Sequence, residues 1–257
     1  MTISKTKTAV ILCGGKGTRL GQLGRKIPKC LVKIHKKPII WYIIETLKKN
    51  NFNHLILPIG YRGKMVKKYL NQKEFQDLKI QIIPTGENTN IAKRIFLIKE
   101  RIISKDFLLL NGDAIFDLNV KKIYENHTKN KIDMTLIGCE SQLAFGTIGV
   151  QGKKVISFDR EITYNAVKVK NRKNFVGYVY SGMSILNKKL LNSNFKDYKN
   201  FEKRLYPKII KKYNCEISTP NGYWHSIDNV KDIQVLNKKN NSNKFIGIKK
   251  IIKNLSK

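Results

Sequence analysis

Acidic residues are scarce in this chain. Its 18 Asp and Glu stand against 51 Lys and Arg in 257 residues, a formal net charge of +33. With 41% of residues hydrophobic, a disordered, solvating polypeptide is excluded, and the length suits one large domain, or one domain with a small appendage. Cysteine is scarce as well. Cys13, Cys30, Cys139 and Cys215 lie scattered without C-x-x-C spacing, which excludes a disulfide framework and a zinc module. They read as free thiols of a reducing cytoplasm. No apolar run approaches the roughly 18 residues of a membrane span. The opening MTISKTK is polar and leads straight into an apolar stretch, so no secretory signal is expected. No RNP-like or zinc-finger pattern accompanies the lysines, which are spread along the chain. The excess reads as a lysine- and asparagine-rich composition, with nonspecific adhesion to polyanions as its physical consequence.

What is present is an alternation of patterns. Residues 8–13 read as a buried strand, and Pro38 to Lys49 (PIIWYIIETLKK) has helical spacing with a basic end. Strands are expected at 54–59, 79–83, 106–110 and 134–138, and helices at 64–70, 90–103 and 120–129. This order predicts an α/β fold: a Rossmann-like, mostly parallel sheet with helices on both faces. The second half is strand-rich, with runs at 146–150, 153–158, 166–170 and 175–186, then a helix near 201–213 and a short one at 229–236. The domain reading is one unit over 1–236, divided into two halves, 8–140 and 141–236, with a basic tail at 237–257.

In open α/β sheets ligands sit beyond the carboxyl ends of the strands. Two features fall there: Gly14, Gly15 and Gly17 with Lys16 and Arg19 after the first strand, and Asn111-Gly112-Asp113 after the fourth. Glycines let backbone N–H groups approach phosphate closely, so a polyphosphate is the natural ligand; an ordinary tight turn is the alternative. A dinucleotide fingerprint fails because Leu20 stands where its third glycine belongs. A P-loop fails because Lys16 precedes Gly17-Thr18.

The stretch GGKGTRL (14–20) followed by Pro28-Lys29 resembles the signature of the sugar-1-phosphate nucleotidyltransferases. Lys37-Pro38-Ile39-Ile40, Gly60-Tyr61-Arg62-Gly63, Asn111-Gly112-Asp113 and Trp224-His225-Ser226-Ile227-Asp228 resemble further landmarks of that family, in its order. Thr85-Gly86-Glu87-Asn88-Thr89 with Arg94-Ile95 looks most like the glucose-1-phosphate cytidylyltransferases, although Ile91-Ala92-Lys93 replaces their T-G-G and Cys30 their second proline. The resemblance implies a glycosyltransferase-A-like fold and attack by a sugar 1-phosphate on the α-phosphorus of a nucleoside triphosphate, CTP favoured, with an NDP-sugar for surface polysaccharide as product. It implies Arg19 and Lys29 as catalytic cations, and Leu12, Gly14, Gly15, Gly17, Thr18, Thr85, Gly86, Asn111 and Gly112 around the nucleotide. It also implies Asp113 and Asp228 as ligands of Mg²⁺, and Gly146, Glu161 and Gly182 near the acceptor. A homo-oligomer is compatible with it.

Each of these residues also has a plainer reading. Asp113 could cap a turn and Asp228 a helix, and Tyr223, Trp224 and His225 could simply pack. On the acceptor side, Ile162-Thr163 follows Glu161 where relatives carry lysine and a nearby proline, and Tyr180-Ser181-Gly182 stands where they carry N-x-G; Lys168 or Lys170 could replace a phosphate contact. These departures keep other reactions open: GTP with a heptose phosphate, or CTP with a non-sugar phosphomonoester. A regulatory nucleotide-binding protein without turnover and a basic nucleic-acid-binding protein are the readings from other classes.

Overall fold

The structure, a computed structural model, describes residues 6–142, 147–159, 163–164, 166–168, 176–192, 195, 201–237 and 249–253. Its first half alternates as the periodicity predicts: β1 (Thr8–Leu12), α1 (Ile39–Lys49), β2 (His54–Ile59), α2 (Gly63–Leu70), β3 (Lys79–Pro84), α3 (Ile91–Leu97) and β4 (Asp106–Asn111). There follow β5 (Ala114–Asp117), α4 (Val120–Lys129), β6 (Met134–Cys139), β7 (Thr147–Gln151), β8 (Lys154–Asp159), β9 (Val176–Asn187), α5 (Tyr206–Lys212), β10 (Cys215–Ser218), β11 (Tyr223–Ser226) and α6 (Val230–Asn237).

The central sheet has the order β10-β6-β9-β4-β1-β2-β3. Along this path β9 alone runs antiparallel to its neighbours. Residues alternate between the two faces of a strand, and here both faces are covered. Ala9, Ile11, Leu55, Leu57, Leu108 and Leu110 belong to the core that α1, α2 and α4 cover. Val10, Ile56, Phe107 and Leu109 belong to the opposite core, which α3 and α5 cover. The expected α/β architecture with helices on both faces is therefore the observed one.

Strands β5, β10 and β11 were not expected from the sequence, and two of the expected helices differ in form. The helix expected over 90–103 ends at Leu97 and continues as a 3₁₀ turn, Lys99–Arg101. The helix expected near 201–213 opens as a π turn, Phe201–Leu205, before α5. Pro207 has no N–H to close an α-helical bond onto the carbonyl of Lys203, and a wider turn accommodates that gap. Within the basic tail, residues 249–253 are helical, and Ile251 is buried in the core beside α1, α2 and α4.

From β1 the chain runs outward through β2 to β3, then returns to place β4 on the other side of β1. The strand order reverses there, leaving a crevice beyond the carboxyl ends of β1 and β4.

Candidate active site

A cleft of about 570 Å³ occupies that crevice. Leu12 to Gly17 form one wall, Glu87 to Ile91 a second, and Asn111 to Asp113 with Lys29 and Cys30 the floor. The strand ends meet so closely that a Cβ on Gly112 would lie 2.8 Å from the Leu12 carbonyl oxygen. Gly17 holds a left-handed backbone, φ 60, and starts the 3₁₀ turn Thr18–Leu20 that carries Arg19. A side chain there would be strained, so glycine sets the direction from which Arg19 approaches. Lys29 comes from a second 3₁₀ turn, Lys29–Leu31, which Pro28 introduces.

Asp113 and Asp228 are far apart in sequence, and one ribbon joins them. β5 pairs antiparallel with β11, Ala114 opposite Ser226, and just beyond the ribbon the Ile227 N–H donates to the Asp113 carbonyl at 2.9 Å. Both carboxylates then face Lys29, whose Nζ lies 2.7 Å from Asp113 Oδ2 and 3.2 Å from Asp228 Oδ1. Arg19 Nη1 reaches Asp228 Oδ1 at 3.3 Å, and Ser226 Oγ donates to Asp228 Oδ2 at 3.2 Å. Partial burial works against ionisation of Asp228, but Lys29, then Ser226 and Arg19, outweigh it and hold its carboxyl below the usual range. Asp228 does not cap α6. Asn229 does so, accepting from the Asp232 N–H at 3.1 Å, while Asp232 Oδ2 takes the Asp228 N–H at 2.8 Å. The Asp228 carboxylate is thus left to the cleft.

Arg94, 4% exposed, lines the cleft where the two walls approach each other. Its Nη1 donates to Thr85 Oγ1 at 2.6 Å and the Ile59 carbonyl at 3.2 Å; its Nη2 donates to the carbonyls of Gly14 at 3.1 Å and Glu87 at 3.3 Å. Room for the guanidinium depends on absent side chains: a Cβ on Gly14 would sit 2.4 Å from Arg94 Cζ, and one on Gly60 2.6 Å from Nη2.

The fold thus gathers Arg19, Lys29, Asp113 and Asp228 into one charged cluster: Lys29 and Asp113 line the cleft, with Leu12, Gly14, Gly15, Gly17, Asn111 and Gly112, while Asp228 and the exposed Arg19 adjoin it outside the lining. Thr18 is exposed on the Arg19 turn, outside the cleft lining. Thr85 is buried below the second wall, its hydroxyl donating to the Ile59 carbonyl at 2.9 Å, and Gly86 forms the left-handed bend that leads into that wall, φ 91. Gly182, φ 76, comes from β9 and packs on Asn111, since a Cβ there would lie 2.7 Å from Asn111 Nδ2. Gly146 and Glu161 lie outside the described residues, as does Lys170. Tyr223 and Trp224 pack against the core, and Trp224 Nε1 donates to the Ser181 carbonyl at 2.9 Å. Two site features escaped the sequence reading. One is the buried role of Arg94. The other is Glu202, on the π turn, whose pKa is raised by burial and by its proximity to Asp113.

A glycine-walled cleft thus lies at the switch point of a doubly covered sheet, with Lys29 and Asp113 in its lining and Asp228 and Arg19 joined to them by ion pairs. The Nucleotidyl transferase family profile matches residues 8–242, and the chain belongs to that family, among its sugar-1-phosphate nucleotidyltransferases. A Bacillus subtilis relative named "Probable glucose-1-phosphate cytidylyltransferase" is 28% identical over 90% of this chain and 94% of its own. A D-glycero-alpha-D-manno-heptose 1-phosphate guanylyltransferase of Campylobacter jejuni is also 28% identical, over 86% of this chain and 99% of its own. Among solved structures, HddC from Yersinia pseudotuberculosis complexed with GMP-PN superposes with a TM-score of 0.66 at 24% identity, over 90% of this chain and 98% of that one, which bears out the fold.

Proposed function

We propose that this protein transfers a nucleotidyl group from a nucleoside triphosphate to a sugar 1-phosphate, with CTP and glucose 1-phosphate the first pair to examine. The observation that carries this reading is the convergence of Lys29, in the cleft lining, on both Asp113 and Asp228, with Arg19 paired to Asp228 from the exposed side. A phosphate oxygen of the acceptor attacks the α-phosphorus, the bond from that phosphorus to its bridging oxygen breaks, and pyrophosphate leaves. Attacker and target are both anions, so the protein's task is to align them and offset their repulsion. Arg19, exposed at the cleft mouth, presents a planar fork suited to the departing pyrophosphate. Lys29, largely buried, holds a compact charge where the two phosphates meet.

The carboxylates of Asp113 and Asp228 reach one common Nζ, and such a hard-oxygen pair fits Mg²⁺, which takes one or two carboxylates and fills its remaining positions with water and phosphate. Bound there, the ion would supply charge neutralisation at the reacting phosphates. The Campylobacter relative supports a second reading, GTP with a heptose 1-phosphate, at the same level of identity. A surface polysaccharide is the proposed destination of either product, and the cytoplasm the proposed compartment; no helix among the described residues is long and apolar enough to cross a membrane. The test is pyrophosphate release with Mg²⁺, for CTP, UTP, dTTP, GTP and ATP against sugar 1-phosphates and other phosphomonoesters. Release for one pair, lost in Asp113→Ala and Arg19→Ala, is the expected result. Nucleotide binding without release for any acceptor would favour a regulatory protein.

A further inference from the structure

Arg94 is an unusual residue to bury. Burial lowers its pKa, yet a guanidinium stays charged at any ordinary pH. Its hydrogen-bond partners are three carbonyl oxygens and one hydroxyl, all neutral. The geometry gives this cation a directional consequence. In a trans peptide the C=O of one residue and the N–H of the next point in opposite directions, and the described chain has no cis peptide. Arg94 Nη2 draws the Gly14 carbonyl toward itself, so the N–H of Gly15 points away from it. The same nitrogen draws the Glu87 carbonyl, so the N–H of Asn88 points away as well. Gly15 and Asn88 are both exposed and both line the cleft, and no atom lies within 4 Å of where a Gly15 Cβ would be. One guanidinium therefore orients two peptide planes on two different walls, sharing the Gly14 carbonyl with the Tyr61 N–H at 3.4 Å.

We propose that Arg94 is a positioning residue for the nucleotide, turning the Gly15 N–H toward the triphosphate and the Asn88 N–H toward an acceptor atom of the base. This rests on the nucleotidyltransferase reading of the cleft and adds to it the residue that couples its two walls. It also accounts for the missing side chains at Gly14 and Gly60, since a Cβ at either would displace the guanidinium. Lysine cannot replace it: an ammonium carries charge, but not a planar fork spanning four acceptors.

The experiment has two arms on the full chain, with CTP and, in parallel, GTP as probes in the presence of Mg²⁺. In the wild-type protein, the backbone amide resonances of Gly15 and Asn88 are followed by ¹H–¹⁵N spectroscopy through a nucleotide titration. Both amide protons are expected to move downfield as each N–H gains an acceptor. In Arg94→Lys, the nucleotide Kd and KM are expected to rise about 10- to 100-fold, the range that losing hydrogen bonds to an anion gives, while the KM of the acceptor stays within about twofold. A merely structural role would change both KM values together, or only the Tm. Wild-type binding with unmoved Gly15 and Asn88 amides overturns the proposal, as does an Arg94→Lys protein with the wild-type nucleotide Kd. If that variant does not fold, the wild-type amide shifts decide alone. Failure of the wild-type protein to bind either nucleotide sinks the nucleotidyltransferase reading itself, and this inference with it.

Discussion

Gly14 and Gly15 are neighbours in sequence and opposites in surroundings. A methyl group on Gly14 would meet Arg94 Cζ at 2.4 Å, whereas one on Gly15 would meet nothing within 4 Å. Gly14→Ala should therefore destabilise by about 2 kcal/mol, the usual cost of overpacking, and lower the Tm by roughly 4–8 °C for a chain of this size. Gly15→Ala should leave the Tm nearly unchanged and still weaken nucleotide binding, because its methyl group enters the space of the phosphates. Paired melts and nucleotide titrations check both, and a large Tm loss in Gly15→Ala would count against the open geometry described for that wall. At the floor, Lys29→Ala leaves Asp113 and Asp228 facing each other without a shared cation. Turnover should fall by about 10²-fold or more, as when a group that stabilises transition-state charge is removed. The folded state should also be strained by repulsion between the two carboxylates. Added Mg²⁺ should raise the Tm of Lys29→Ala more than that of the wild type, since the ion takes over the neutralisation; equal shifts would argue that the carboxylates do not bind it.

Two elements carry consequences of their own. α3 is capped by Asn90, whose Oδ1 accepts the Lys93 N–H at 2.9 Å, and the same helix carries Arg94 to the Gly14 and Glu87 carbonyls. Asn90→Ala should cost about 1 kcal/mol as a lost cap, and should weaken nucleotide binding beyond that if the helix start sets the position of Arg94. In β2, His54 is fully buried and meets Thr8 of β1 at 3.1 Å. Burial first, and the charge of Lys79 second, hold its pKa below the ordinary value. The unfolded chain therefore takes up a proton on this group as pH falls below about 6.5 while the folded chain does not. Stability present above that pH is lost as pH falls through it toward the lowered folded value. Melts between about pH 7.5 and about pH 5 should show the Tm falling, and His54→Asn should flatten the slope.

The strands and helices of the first half were legible because β1 and β2 are short, nearly continuous apolar runs, as strands covered on both faces are, while the apolar residues of α1 recur at helical spacing. The charged cluster was legible through the motif that holds Arg19 and Lys29, and through the acidic ends Asp113 and Asp228. The π turn was not, because hydropathy at 201–205 is the same for any helical winding. The buried role of Arg94 was not legible either: the resemblance marked Arg94-Ile95 but not where the side chain goes, and the glycines at 14 and 60 that make room for it come close to it only in three dimensions.

For the whole molecule the dominant quantity is the charge of +33 on 29.7 kDa. Every proposed substrate is an anion, so the field of the chain should speed their arrival, and salt should screen that effect over a Debye length of about 8 Å at physiological ionic strength. The steady-state signature is specific. Raising salt from about 0.05 M to about 0.5 M should lower kcat/KM for the nucleotide while leaving kcat nearly constant, because steering acts on encounter and not on the bound complex. The same field should retain the protein on heparin or duplex DNA, with log affinity falling linearly in log salt. A nucleic-acid-binding function predicts something else: a preference among sequences or structures that survives high salt, indifferent to Asp113 and Asp228. Binding isotherms on several duplexes and single strands across that salt range separate the two. Affinities that collapse together to a common weak value leave the charge as a property of composition that happens to favour anionic substrates. One ligand that stays bound at high salt would assign the basic surface a partner of its own.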